Sequence, residues 1–481
     1  MARKTTLSAK SLEALGPERL AQLLMEISQG QPVFKRKLRM ALAASQGGET
    51  LIRSVRKRLR ELGRSESYID WHKAKAFRAE IDGLRRVIFE DVGRTHPAEG
   101  VDLLWGFLGI ASTCYHRCDD SHGYLSDTFA QAREDMGILA RQTKLDAQIL
   151  SQRIFKSYQD NGYGQYDRLI SILAPSLEDD GLDVLRGLFM AWQAELKPAT
   201  NDRWDSKNFS AQIALQEIAD AQGDVKAYSE QYSLEQQRRP KIAAEIAMRY
   251  LSANNPQEAL QVLDGVDDLP DLAKDMLSNF RCDLSWHNAR IAALEAMKER
   301  EAAQALRWEV FQASLDSTIL KDYLGRMSGF DDVKAEEQAL EHAVAYPQVH
   351  RALYFLISWP PEGAGHKPSK TLALDRAATL VKTRFTELDG RYYELIAPAA
   401  SVLEDRHFLA SCLLHRTQID FALNNGRSSR YKHAARHLMA CVSLDDAIDD
   451  YGLHTPHKDY LEDLRKRHGR KTSFWAHFEG D

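Results

Sequence analysis

Apolar residues recur at three- and four-residue spacing along nearly the whole chain, and no convincing stretch alternates with a period of two. That spacing lays a stripe along one face of an α-helix; a half-buried strand needs the shorter period. Glycine and proline, 27 and 14 of 481 residues, together fall below the ~12% of ordinary usage. The tight turns of a many-stranded sandwich or barrel are therefore scarce. With 44% apolar and 28% charged residues, the chain has material for a sizeable core and a solvated surface. The fold class these features predict is all-α.

Helix punctuation divides the pattern. Pro17 stands where a first-turn proline belongs, ahead of Leu20, Leu23, Leu24 and Ile27. Ser67 to Asp70 reads as a capping box opening a helix through Phe77, Ile81, Leu84, Val87 and Ile88. Another helix starts near Pro97 and includes Leu103, Leu104, Phe107 and Leu108. Asp119-Asp120-Ser121-His122-Gly123 interrupts the helices, and the next one carries Phe129 and Met136. Further on the helices shorten and pair: 213–221 with 225–232, 240–251 with 258–263, and 291–297 with 301–311. Alanines at helical spacing, such as Ala243, Ala247 and Ala259, let antiparallel partners approach closely, the logic of a tetratricopeptide-type hairpin. The pairs follow no strict period, so the expected architecture is an irregular α-solenoid of tetratricopeptide-like helical hairpins. The expected organisation is an N-terminal helical domain with a basic face over 1–141 and helical repeats over 142–358. A Pro/Gly loop over 359–371 and a C-terminal helical group over 372–481 follow.

Charge is unevenly spread. The net charge is −5, yet residues 1–96 hold 20 Lys/Arg against 11 Asp/Glu while the rest holds 44 against 58. The basic excess peaks at Lys35-Arg36-Lys37-Leu38-Arg39 and again from Arg53 to Arg60. Arg53, Arg56, Lys57 and Arg60 fall on one helical stripe, while Ile52, Val55, Leu59 and Leu62 form a separate apolar one. Such a helix is a solvated surface element or, on the sharper reading, a phosphate-binding face. The acidic remainder of the chain would weaken any hold on a polyanion.

The five cysteines (Cys114, Cys118, Cys282, Cys412 and Cys441) are odd in number and scattered, so a disulfide framework is not expected. Residues 1–10 are positively charged but lead into no apolar core, and the longest uncharged apolar run, Leu103 to Tyr115, is short of the ~20 residues a membrane span needs. These features predict a cytoplasmic protein without a membrane segment. No metal site is expected either. Cys114-Tyr-His116-Arg-Cys118 lacks a second ligand pair, and a calcium loop counted from Asp119 would end on Ala130 instead of an acid. Asp119, Asp120, Ser121 and Asp127 then read as a turn that caps the following helix.

Seven of the sixteen histidines (His415, His433, His437, His454, His457, His468 and His477) lie in the last 67 residues. His433 and His437 stand one helical turn apart, but Ala434 occupies the place where a metalloprotease motif has its glutamate. Packed or capping histidines are the plain reading, and a metal or phosphate site the alternative. Nearby, Arg430, Lys432 and Arg436 are candidate anion-binding residues, although Asp445, Asp446, Asp449 and Asp450 could pair with them. No phosphate-cradling glycine loop, nucleophile elbow or dinucleotide fingerprint is present, so no cofactor is expected.

Asp119-Asp120-Ser121-His122-Gly123 after a long helix resembles the helical region that accompanies SWIM zinc fingers in bacterial proteins. The stretch from Arg427 to Leu438 and the ending from His468 to Trp475 are similar to the same group. The resemblance implies an uncharacterised bacterial all-helical family built from those helices. A SWIM finger needs Cys-x-Cys followed by Cys-x-His, and no Cys-x-Cys exists here, so the zinc site does not carry over.

The function expected from these features is a helical-repeat scaffold that binds a protein or peptide partner without catalytic activity of its own. The alternative is a nucleic-acid-associated protein that uses the basic N-terminal helix, with weak binding. A hydrolase or metal-dependent enzyme using the histidine-rich C-terminus comes third.

Overall fold

Proline at the first helical position starts the helices at Pro17, Pro32, Pro97, Pro240 and Pro256, where its missing N–H costs nothing and its fixed φ suits the first turn. The computed structural model describes residues 8–118, 120, 123–196, 206–267, 283–361 and 370–480. Among these residues there is no strand, only an isolated parallel bridge between Ile69 and Cys118. The all-helical expectation holds.

The chain divides into two compact units, Met1–Ser233 and Leu234–Asp481. The first contains α1 (Ala9–Glu13), α2 (Pro17–Ser28), α3 (Pro32–Ser45), α4 (Gly48–Gly63), α5 (Trp71–Arg86), α6 (Pro97–Leu108) and α7 (Ala111–Arg117). It continues with α8 (Tyr124–Ala140), α9 (Ala147–Gln159), α10 (Leu169–Glu195), α11 (Ser206–Gln222) and α12 (Val225–Ser229). Its core runs from Ala43 to Ile218 and is centred on α10, which packs against α8, α9 and α11. α10 itself kinks at Glu178, where φ is 53°, three residues after Pro175. Gly223, at φ 67°, supplies the left-handed residue that turns α11 into α12.

The second unit contains α13 (Leu234–Gln237), α14 (Pro240–Ser252), α15 (Pro256–Asp264), α16 (Ser285–Ala296), α17 (Arg300–Ser314), α18 (Ser317–Leu324) and α19 (Asp331–Ala345). It ends with α20 (Val349–Ser358), α21 (Lys370–Thr383), α22 (Tyr393–Leu403), α23 (Phe408–Asn424), α24 (Tyr431–Asp445), α25 (His457–His468) and α26 (Thr472–Glu479). From α14 to α21 each helix packs on the next, as do α22 to α25 in turn, and several pack on the next but one: α14 on α16, α19 on α21, α20 on α22, α21 on α23 and α24 on α26. Ala243, Ala244, Ala247, Ala259, Ala289 and Ala293 are all buried where α14, α15 and α16 meet, so their small size sets that close approach.

Two local expectations change. The helix expected to open at Ser67 begins instead at Trp71, because the Asp70 carboxylate caps it by accepting from the His72 amide at 2.9 Å. Ser67 to Ile69 stay extended, held by Arg117 Nε on the Ser67 carbonyl (2.8 Å) and by the Ile69 amide on the Arg117 carbonyl (2.7 Å). The same helix then widens into a π-helical turn over Val87–Val92. In the segment expected as a loop at 359–371, residues 362–369 lie outside the described residues. Trp359, at its start, is 1% exposed, with its indole N–H donating to Glu336 at 2.7 Å.

Candidate functional site

α4 separates its side chains as its sequence demands. Leu51, Ile52, Val55, Leu59 and Leu62 are buried, and Arg53, Arg56, Lys57 and Arg60 are exposed. Each buried aliphatic side chain contributes roughly 1.5–3 kcal/mol, so the apolar stripe fixes how the helix is rotated and the basic stripe follows. The four basic residues do not share one environment. Arg56 pairs with Glu99 (2.5 Å) and Asp102 (3.5 Å) on α6. Asp102 also accepts from Arg153 at 2.7 Å, and the Arg153 guanidinium lies 4.3 Å from the centre of the Trp105 ring. Arg53 and Arg60 turn back along their own helix and donate to the carbonyls of Glu49 (3.4 Å) and Arg56 (3.3 Å).

Lys57 alone of the four lines a cleft between α3 and α4 with a volume of about 530 Å³. Lys35, Arg36 and Arg39 of α3 and Arg58 of α4 line it too, with Glu61 the one carboxylate. Arg36 is anchored on Glu80 of α5 through two contacts of 2.9 Å, and Arg58 reaches the same carboxylate at 2.5 Å and Glu61 at 3.0 Å. Lys35, Arg39 and Lys57 have no ion-pair partner among the described residues. On the other flank of α4, Arg56, Arg60, Arg64 and Arg153 line a second groove, of about 730 Å³, with Asp102.

The remaining sequence candidates belong to the second unit. Arg430 is half-buried, its guanidinium 4.7 Å from the Tyr393 ring centre, which makes it a cation–π contact, while Lys432 and Arg436 are exposed on α24. His433 and His437 do not form a pair. His433 faces solvent, and His437 meets His415 of α23 with their Nδ1 atoms 2.9 Å apart. Burial pushes His415 down to about 4, and His437 is lowered by the same cause, so both rings are neutral at pH 7. One Nδ1–H then donates to the other Nδ1. His454 and His468 bond Lys382 and Asn424 at 3.0 Å each. Asp120 caps α8, accepting from the Leu125 and Ser126 amides at 2.9 and 3.1 Å. Asp119, Ser121 and His122 lie outside the described residues. Among the described residues no group of three or more His, Cys, Asp and Glu is placed to hold a metal ion.

The model of a family of unknown function, DUF6880, matches residues 2–477. The chain belongs to that family. No curated protein matches it.

For this DUF6880 member, sequence reasoning missed one buried polar cluster. Arg416 of α23 is 2% exposed, donates to the Thr455 carbonyl at 2.6 Å and lies 4.4 Å from the Tyr460 ring centre. Its Nε and Nη2 atoms, and both ring nitrogens of buried His457, accept or donate no hydrogen bond among the described residues. Beside it Cys441 donates its thiol to the Cys412 carbonyl at 3.6 Å, and hydrogen bonding between the two cysteines, with burial added, pushes the Cys441 thiol well up while Cys412 is lowered. The signal was present: Cys412, Arg416 and Asp420 recur every four residues along one face of a helix that also carries Ser411, His415, Thr417 and Gln418. In the N-terminal unit, Arg36 and Arg58 were likewise missed, because their convergence on Glu80 joins residues 22 and 44 positions apart.

Proposed function

We propose that this protein is a helical-repeat scaffold, with tetratricopeptide-like hairpins in its second unit, whose N-terminal helices bind an acidic, amphipathic segment of a protein partner. The packing of successive helices on the next and next-but-one supports the scaffold reading. So does the resemblance to the helices that accompany SWIM zinc fingers. A cytoplasmic location suits Cys114, Cys412 and Cys441, buried cysteines that form no disulfide among the described residues. No helix among the described residues is long and apolar enough to cross a membrane.

One observation carries the binding reading. α2 has a strong apolar stripe, yet Leu24, Met25 and Ile27 are exposed and the only residue it buries is Ser28. Phe34 and Leu42 of α3 are exposed as well, beside the cations Lys35, Lys37 and Arg39. Leu20 and Leu23 of the same stripe are only half-buried, and an amphipathic helix that leaves most of its apolar face open at home gains stability from what it covers elsewhere. Apolar side chains flanked by cations fit a partner helix with an apolar face and acidic rim.

A photoreactive residue placed at Met25 tests this in cells. The expected outcome is a discrete protein adduct, lost when Lys35 and Arg39 are both changed to Glu. Adducts to lipid alone, or no adduct, contradict it. A nucleic-acid reading is favoured by the absence of a carboxylate partner on Arg53, Lys57 and Arg60 among the described residues. It requires duplex affinity to fall with salt at a log–log slope of about −0.9 per phosphate neutralised, and the slope to shrink when these residues become glutamine.

A further inference from the structure

The cleft between α3 and α4 holds more positive charge than the described residues around it neutralise. Lys35, Arg36, Arg39, Lys57 and Arg58 line it against Glu61, and Glu80 stands behind Arg36 and Arg58. These two carboxylates leave three cations in surplus within about 530 Å³. Like charges gathered at this spacing repel one another, so the arrangement is stabilised when an anion joins it. Glu80 is 14% exposed and holds two guanidiniums at once, which fixes their planes before any ligand arrives. Lys35, Arg39 and Lys57 have no carboxylate partner among the described residues and stand as further donors around them.

We propose that this cleft binds an oligophosphate chain, two or three linked phosphoryl groups carrying roughly −3 to −4 at neutral pH. A lone phosphomonoester supplies too little charge for the surplus, and a carboxylate ligand would need three acids converging on one small cleft. Guanidinium forks match phosphate oxygens in pairs, and lysines add point charges that tolerate small shifts of the chain. Its volume falls within the range of small-ligand sites. The chain could be free inorganic oligophosphate or the triphosphate of a nucleotide, which share this chemistry. The inference stands on the cleft; it shares Lys35 and Arg39 with the proposed partner surface but makes no use of the apolar face on α2.

Isothermal titration of the full-length protein at ~0.15 M salt tests it. The probes are inorganic triphosphate, ATP, and a single-stranded oligonucleotide without terminal phosphates. The expected result is one site for inorganic triphosphate, weakened about tenfold or more by the double change Arg39→Gln, Lys57→Gln. Lys37→Gln, on the same helix but outside the cleft, leaves affinity unchanged. ATP binding tighter than inorganic triphosphate assigns the nucleotide source; equal or weaker binding assigns the free chain. Three results overturn the proposal: no binding of either triphosphate to protein that is helical by circular dichroism, undiminished binding in the double variant, or tighter binding of the oligonucleotide, which would make the cleft a phosphodiester groove.

Discussion

α2 and α23 make an instructive pair. α2 has one of the strongest apolar stripes in the chain and buries Ser28 alone, whereas α23 has almost no sidedness and buries twelve of its seventeen residues, Ser411, His415, Arg416, Thr417 and Gln418 among them. Amphipathicity reports that a helix has an inside and an outside. It does not say that the inside belongs to the same chain. Lack of sidedness on α23 follows from its position, packed by α21 and α22 on one flank and α24 on another, so that even its polar residues need internal partners.

The sharpest way to break the comparison is to remove one leucine from each helix. Leu414→Ala on α23, where Leu414 is fully buried, should cost about 2–5 kcal/mol by urea unfolding, the transfer and cavity terms together. Leu24→Ala on α2, where Leu24 is 46% exposed, should change stability by less than ~0.5 kcal/mol. Equal costs would mean that α2 is packed.

Next comes acid. His415 is neutral in the folded state with its pKa near 4, whereas the unfolded chain titrates near the ordinary value of 6.5. The depressed folded value means full stability above pH ~6.5, lost as pH falls toward 4 while the unfolded chain takes up the proton. The expected loss is up to about 3 kcal/mol for this group. His415→Gln should flatten the pH dependence of the unfolding midpoint between pH 7 and 5; an unchanged slope would remove the pair from the account.

The smallest effect is expected on the basic stripe. Arg56→Gln breaks the exposed contacts with Glu99 and Asp102, and should lower stability by no more than ~0.5 kcal/mol. A larger loss, read from the same urea curves, would make the stripe structural.

The fold class and most helices were legible because a 3.6-residue stripe and prolines at helix starts are local signals. α4 was legible in full: Ile52, Val55, Leu59 and Leu62 are buried and Arg53, Arg56, Lys57 and Arg60 exposed. The capping box at Ser67 misled because two acceptors competed for one helix start, and Asp70 lies nearer to it. The His433–His437 spacing left the pair open because a helical turn places two rings on one face without saying which meets a neighbouring helix; only His437 does. The α3–α4 cleft was legible in its parts, as two basic runs. Its assembly rests on Glu80, which joins Arg36 and Arg58 across three helices, and a long-range contact of that kind leaves no periodic trace.

Hydrogen–deuterium exchange of the free protein, read by mass spectrometry on peptides from α2 and α23, tests most directly whether the apolar face of α2 lacks an internal partner. The account predicts that α2 amides open locally and exchange early, because little is lost when the helix frays, while α23 amides exchange only with unfolding of its unit. Protection of α2 equal to that of α23 would show its apolar face already covered and would contradict the account.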